Sequence, residues 1–531
     1  MKHRELRNSN CHDVLPFAHF KIRSQRPARY CGDMARKQVF LIAIFVSLQW
    51  WLAAEPVTIS VNTLQSGPAI PADSLGLSYE TSLMLPDAQG IHYFRPDNKP
   101  LVALFKTIGV KSLRIGGNSV DAPNVPLPSE ADLTAFFDFA KAAGVKVIYS
   151  VRLEEPKSSD ATNGSPASSP GSIANAQSAA RFAKLIHDHY SDVLDCFAIG
   201  NEPDYFRDYA VYSAKWKAIH DAIVSVYSGA KFCGPDQNPS PQLDARMAHD
   251  FATAGLIKIT QHSYPFGCAY KNPQARANIA NLIPFDAAAS REKMLSPKAY
   301  DTYEKIYKGI AGAITNTPLA YRLTEVNSYW FSGLQGASDS YASALWAPDY
   351  LHWWTGHGAD GLNFHTGDRT GGDLSMPCQY AAFVTSANGY EARPLAYGMK
   401  LFALGGHGRQ LPIANSASTN LVAYATLDSK TIFITLINKA HGPDAKNSEI
   451  QIELDAPIDE SNARAIFLEA KNSDIAATSS GVTLGGASIR EDGSWNGRWM
   501  PVKITNNKLI TISTPPASAA VIQASLRPRE K

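Results

Sequence analysis

One pattern of apolar and polar positions recurs along the first two thirds of the chain. A helical stretch ends in a Gly, followed by one apolar residue, often a Lys or Asp, and then a run rich in β-formers. Ile108-Gly109-Val110-Lys111 leads into SLRIGG, Ala143-Gly144-Val145-Lys146 into VIYSVR, and Ser228-Gly229-Ala230-Lys231 into FCGP. Ala254-Gly255-Leu256 leads into IKITQHSY, and His357-Gly358-Ala359-Asp360 into GLNFH. Gly suits the left-handed residue that closes a helix. The runs that follow are too apolar for strands with a wet face, which predicts a parallel sheet covered on both sides. Adding LGLSYE (75–80), DCFAIG (195–200) and LAYRLTE (319–325) gives eight strands over residues 75–366. Between them, Ser129 and Asp132 approximate a capping box ahead of LTAFFDFAKAAG. Tyr209, Tyr212, Trp216, Ile219, Ile223 and Val226 form an amphipathic stripe read as core packing. Eight βα units in about 300 residues predict an α/β fold of the (β/α)8 barrel type. A dinucleotide-binding doubly wound sheet would carry G-x-G-x-x-G after its first strand, and that fingerprint is missing.

After about residue 400 the pattern changes to short alternating runs with turn residues between them. NLVAYATLD, KTIFITLIN, EIQIELD, ARAIFLEA, MPVKITN, KLITIST and AAVIQAS predict an antiparallel β-sandwich. The expected division is a barrel over 72–400 and a sandwich over 401–531, with the VTISVN strand inside 55–71 joining the β-domain. Residues 157–172, rich in Ser, Pro and Gly, read as a surface loop with a glycosylation sequon at Asn163. Met34 to Ala54 has a basic start, an apolar run too short to span a bilayer and small residues at its end, as a secretory signal peptide does. The expectation is cleavage after Ala54 and a secreted or periplasmic protein with no membrane attachment afterwards. Residues 1–33 then read as a non-native or mis-assigned extension.

Charge changes the picture only once that leader is set aside. The full chain has 50 basic and 48 acidic side chains, of which nine and three lie in residues 1–54. The remaining 41 and 45 give a net charge near −4, and no basic stripe suggests nucleic acid or a highly sulfated polymer as partner. Of the four later cysteines, Cys196 and Cys233 fall in apolar strands and read as buried thiols. Cys268 and Cys378 fall in polar loops and could pair. No Cys/His spacing resembles a metal site, so neither metal nor cofactor is expected.

In a barrel of this kind functional groups gather at the C-terminal ends of the strands. Those ends carry Glu80; Gly116-Gly117-Asn118; Arg152, Glu154 and Glu155; Asn201-Glu202; Asp236; His262 and Tyr264; Glu325; and His365. Glu202 ends strand four and Glu325 ends strand seven, so both carboxylates can point into one cleft. Such a pair meets the needs of retaining glycoside hydrolysis, with one nucleophile and one acid/base group roughly 5–5.5 Å apart. The plainer reading of a strand-end Glu is a salt bridge, but no basic residue lies close to Glu202 in sequence and Glu325 is followed by the uncharged Val-Asn-Ser-Tyr-Trp.

Asn-Glu-Pro after strand four with a Glu ending strand seven resembles the clan of retaining (β/α)8 glycosidases. Within it the chain is similar to glycoside hydrolase family 79, the β-glucuronidases and heparanases, through SYE (78–80), LRIGGNS (113–119), AIGNEPDYF (198–206), QHSYP (261–265), LTEVNSYW (323–330) and PPASAAVIQ (515–523). The resemblance covers residues 56–525. It implies Glu202 as acid/base, Glu325 as nucleophile, Asn201 as donor to the sugar 2-hydroxyl and Tyr264 as a donor that holds the nucleophile ionised. It further implies Glu80, Gly117, Asn118 and His365 around the sugar, with Tyr329, Gly333 and Tyr380 beside a glucuronide carboxylate. The slightly acidic charge and the lack of a long excisable linker favour an exo-acting β-glucuronidase on glucuronide-bearing glycans. The alternatives are an endo-acting heparanase-like enzyme, another activity of the clan, and a carbohydrate-binding protein without catalysis.

Overall fold

Eight parallel strands close on themselves in the computed structural model, which describes residues 56–154, 170–203, 208–367, 377–415 and 420–527. The leader, residues 1–33, Glu155 and Asn163 lie outside the described residues. Strand β1 (Val57–Val61) precedes the barrel. Barrel strands one to eight are β2 (Leu75–Glu80), β3 (Ser112–Gly116), β4 (Lys146–Val151), β5 (Leu194–Ile199), β6 (Phe232–Gln237), β7 (Leu256–Ser263), β8 (Ala320–Val326) and β9 (Leu362–His365). Each pairs in parallel with the next, and β2 pairs with β9 to complete the ring. The fold is thus the expected (β/α)8 barrel, and its strands are the eight runs read from the sequence.

The helix ends follow the glycine pattern only in part; the helix Pro241–Phe251, for one, ends at Ala252, three residues before Gly255. Gly109 and Gly144 close their helices at φ 92° and 72°, and their N–H groups bond back to Phe105 and Ala140. Gly229 does no such thing. The helix Tyr209–Val226 stops earlier, where the N–H of Tyr227 reaches the Ile223 carbonyl, and Ala230 then closes a turn on Tyr227. Ser129 and Asp132 do form the capping box, each side chain accepting from the other residue's N–H.

The barrel is filled by side chains, and its lower part is polar. Arg322 donates to the Asn363 amide oxygen at 2.7 Å, and the Asn363 amide donates to Ser112 Oγ at 3.0 Å and to the Leu77 carbonyl at 3.1 Å. Gly76 is required there, since a Cβ would stand 2.3 Å from Asn363 Nδ2. Lys258 bridges Asp195 and Asp360 at 2.9 and 2.7 Å, tying β7 to β5 and to the turn before β9. Cys196 and Cys233 are buried, as expected; Cys268 carries a free thiol, so no bond to Cys378 is formed.

Beyond the barrel two largely antiparallel sheets face each other across a shared core that includes Ile59, Ile434, Ile452 and Ile522. β1 lies within the five-stranded sheet, parallel to Ser448–Leu454 and antiparallel to Ile413–Asn415. The last barrel helix, Pro394–Gly405, is nearly all buried and shares a core with Leu468, Ala519 and Val521 of the seven-stranded sheet. It reaches five residues past the expected boundary at 400 because one apolar face serves both domains.

Candidate active site

Arg114 sits at the centre of the barrel mouth. It is the third residue of β3, is fully buried, and touches residues of β2, β6 and β8, which is possible only from inside the barrel. Its Nη1 donates to Glu325 Oε2 at 2.7 Å and to Ser78 Oγ at 3.0 Å; its Nε donates to Asp236 Oδ2 at 3.0 Å; its Nη2 donates to Asn201 Oδ1 at 2.7 Å. A buried guanidinium needs this much compensation. Burial works against its charge, but Asp236 and Glu325 outweigh that and fix it as a cation.

Glu325, on β8, is 7 % exposed. Besides Arg114 on Oε2 it accepts Tyr264 Oη–H on Oε1 at 2.8 Å, and His365 Nδ1 stands 3.6 Å from Oε2. Burial alone would raise its carboxyl. The positive charges of His365, His262 and Arg114, with the Tyr264 hydrogen bond, prevail and hold it well below the usual carboxylate range. The same field raises His365, whose burial is outweighed by Glu325 and Glu80. Burial and the adjacent Glu325 charge push the Tyr264 phenol well up, so it remains a donor.

Glu202 lies three residues beyond Ile199, the last residue of β5, and is a different kind of carboxylate. Its side chain is 29 % exposed, and Oε1 lies 2.9 Å from His262 Nδ1. Its backbone sits at φ 48°, a left-handed conformation that a glutamate rarely adopts. Two contacts hold it there: its own N–H donates to the Asp236 carbonyl at 2.7 Å, and the Asn201 N–H donates to Asp121 Oδ2 at 2.9 Å. One oxygen of Glu202, one of Glu325 and a ring nitrogen of His262 all lie within 4.8 Å of one another. That triangle has the spacing of a metal site, yet both Glu325 oxygens already accept from Tyr264 and Arg114, and the guanidinium charge opposes a second cation. One carboxylate is thus held ionised in a dry site beside a second that solvent reaches, a pairing of the kind that retaining glycoside hydrolysis uses.

Most of the sequence-expected residues converge here. Asn201 is held by Arg114 and donates to Asn118 Oδ1 at 3.2 Å. Glu80 accepts from the Ser119 N–H at 2.8 Å and lies 3.6 Å from His365 Nε2. Gly117, at φ 68°, lets that carboxylate approach, because a Cβ would stand 2.5 Å from it. The Tyr380 ring lies 6.0 Å from those of both Tyr264 and His365, and Gly333 packs so closely on the Tyr380 backbone that a Cβ would meet its nitrogen at 2.8 Å. Tyr329 does not join them. Its ring packs on Phe266 and its hydroxyl donates to the Ser290 carbonyl at 3.3 Å, on the helix Ala287–Leu295 outside the barrel wall. The sequence argument against salt bridges also fails for Glu325, whose partner Arg114 lies 211 residues away in sequence. Asp236 and His262 were read only as strand-end residues without a role, and Arg114 was not read as a site residue, although a lone Arg inside the apolar run SLRIGG signals a charge that must be paired within the barrel.

No protein-family model matches the sequence, and no curated protein matches it. Solved structures do match in fold. A glycoside hydrolase family 51 arabinofuranosidase from Xanthomonas axonopodis pv. citri is 13 % identical with a TM-score of 0.61, covering 88 % of this chain and 100 % of its own. A 4-O-α-L-rhamnosyl-β-D-glucuronidase from Fusarium oxysporum is 16 % identical with a TM-score of 0.62, covering 88 % and 99 %. A monomeric β-xylosidase from Caulobacter crescentus is 12 % identical with a TM-score of 0.59, covering 88 % and 99 %.

Proposed function

We propose that the protein is a retaining β-glycosidase, and within that class an exo-acting β-glucuronidase that removes terminal β-linked glucuronic acid by double displacement. The observation that carries the reading is the pair Glu202 and Glu325, with oxygens within 4.8 Å and opposite environments. Glu325 attacks the anomeric carbon as the C–O bond to the leaving group breaks, and Glu202 gives its proton to the departing oxygen. Glu202, now a carboxylate, then takes a proton from water as that water attacks the anomeric carbon and releases Glu325. His262 holds Glu202 at the mouth, and Arg114, Tyr264 and His365 keep Glu325 ionised. Asn201, fixed by Arg114 through its oxygen, turns its amide NH₂ towards the mouth beside Asn118.

Similarity in fold to solved glycosidases supports the class, and one of these bears a glucuronidase name. The glucuronide reading rests on the sequence resemblance together with the Tyr380–Gly333 corner, where the Tyr380 ring lies 6.0 Å from that of His365 and its backbone packs on Gly333. Other members of the same fold bear xylosidase and arabinofuranosidase names, so the test is a panel of nitrophenyl glycosides. Turnover of the β-glucuronide above the β-glucoside, β-xyloside and α-L-arabinofuranoside by at least an order of magnitude is expected. A preference for the β-glucoside or β-xyloside overturns the sugar assignment and leaves the class standing, whereas a preference for the α-L-arabinofuranoside overturns the β-glycosidase class as well. We also propose export through the leader, which requires a mature N-terminus at Glu55.

A further inference from the structure

Beyond the rim of the barrel the pairing of β7 with β8 does not stop. Asn327 N–H bonds to the Ser263 carbonyl, Phe266 N–H to Ser328, Trp330 N–H to Gly267 and Ala269 N–H to Trp330, at 3.0–3.3 Å. A third segment joins this extension, with Lys271 N–H on the Ile283 carbonyl at 2.8 Å and Phe285 N–H on Ala269 at 3.1 Å. The result is a short three-stranded strip on the face of the barrel that holds Glu202 and Glu325.

The strip is where the described residues leave apolar surface uncovered. Among the described residues eight large apolar side chains are exposed, and four of them, Ile279, Ile283, Phe285 and Trp330, lie on this strip or in the loop that feeds it. Trp330 is 40 % exposed and leans on Phe331, their rings 5.7 Å apart; Phe331 in turn meets Tyr270 edge-on at 5.3 Å. The backbone there is strained: Phe331, Ser332 and Gly333 follow one another at φ 73°, 66° and 82°. An aromatic residue at positive φ is unfavourable and persists only where its surroundings impose it. Here the turn holds Phe331 behind Trp330 and leaves the indole facing solvent. Beside the strip a cavity of about 800 Å³ combines Tyr270 and Phe285 with the polar groups of Lys271, Gln274, Asp286 and Lys293. Trp330 follows Glu325 by five residues, which bounds their separation at about 17 Å of extended chain.

We propose that this strip is a second sugar subsite, in which Trp330, backed by Phe331 and Tyr270, stacks on the apolar C–H face of a pyranose ring of the substrate other than the ring being cleaved. Flat aromatic faces with hydrogen-bonding groups along one border suit a ring that is apolar on its faces and hydroxylated at its edge. The occupant is carbohydrate because the strip continues the two strands that carry Glu325 and Tyr264. The inference rests on the glycosidase reading.

The test compares wild type, Trp330→Ala and Trp330→Tyr on nitrophenyl β-glucuronide and on a tetrasaccharide with glucuronic acid at its non-reducing end. Binding of the same tetrasaccharide to Glu325→Ala, with and without Trp330→Ala, is measured by calorimetry. The loss of kcat/KM in Trp330→Ala is expected to be about tenfold larger on the tetrasaccharide than on the nitrophenyl glycoside. Tetrasaccharide Kd should weaken by a similar factor, and Trp330→Tyr should recover most of both. Equal losses on the two substrates, or an unchanged Kd, overturn the subsite and leave the glycosidase reading intact. A change of Trp330→Ala from dimer to monomer with unaltered tetrasaccharide kinetics would make the strip a self-association face instead. No turnover of any glycoside by wild type would defeat the underlying reading, while the calorimetry still decides whether the strip binds sugar.

Discussion

Tyr264→Phe isolates the one hydrogen bond that the structure places on Glu325 Oε1. The substitution removes an oxygen and leaves the ring contact with Tyr380 in place. A hydrogen bond to a charged acceptor contributes about 1.5–3 kcal/mol, and one pKa unit corresponds to about 1.4 kcal/mol. The Glu325 carboxyl should therefore rise by about 1–2 units. The bond favours the ionised form, so its loss moves the acid limb of the kcat/KM profile to higher pH. That profile reports the free enzyme and is the assay of choice. Stability follows the same sign. A carboxyl depressed in the folded state stabilises above its unfolded value near pH 4 and loses that contribution as pH falls through the folded value. Denaturant unfolding should thus show Tyr264→Phe weaker than wild type at pH 7 and converging with it in strong acid. An acid limb that stays put, or moves to lower pH, would refute the claim that Tyr264 holds the nucleophile ionised.

Four further substitutions test other parts of the site and its support. Glu325→Ala should abolish turnover of every glycoside while the circular dichroism spectrum is unchanged, and Glu202→Ala should impair poor leaving groups by orders of magnitude more than nitrophenyl glycosides, which need little protonation; equal losses on both substrate types would contradict the assigned roles. Arg114→Met strips the counter-charge from Asp236 and Glu325 together, and breaking such a buried pair costs about 3–5 kcal/mol, so the urea midpoint should fall sharply; an unchanged midpoint would mean the guanidinium is not needed for folding. Asp244, buried beside Gln261, is pushed by burial up to about 8, so the native state keeps a proton that the unfolded chain releases near pH 4, and stability falls as pH rises from about 4 to about 8; Asp244→Asn should stabilise the protein more at pH 8 than at pH 5, and a gain independent of pH would contradict that assignment.

The barrel was legible because its signals are local: glycine caps, apolar runs and a capping box each depend on neighbours in sequence. The convergence of Glu202 and Glu325 was legible because both stand at strand ends, which this fold gathers at one mouth. What the sequence withheld is pairing across the barrel. Nothing near Glu325 announces Arg114, since the contact joins β3 and β8, three positions apart around a closed ring rather than neighbours in the chain. Tyr329 was misplaced for a related reason. The loop after β8 reads as aromatic throughout, and only the continued pairing with residues 266–269 decides that Tyr329 turns to the outer helix while Trp330 stays exposed. Gly229 shows the limit of a motif: the same Gly-apolar-Lys spelling follows a helix that had already ended.

The central claim is that Glu202 and Glu325 act by double displacement on one anomeric carbon. The most direct measurement is proton NMR of the sugar first released from nitrophenyl β-glucuronide, followed from the earliest time points before mutarotation. The β-anomer should form first and the α-anomer only later. First appearance of the α-anomer would mean a single inversion, and the spacing and roles assigned to the two carboxylates would be wrong.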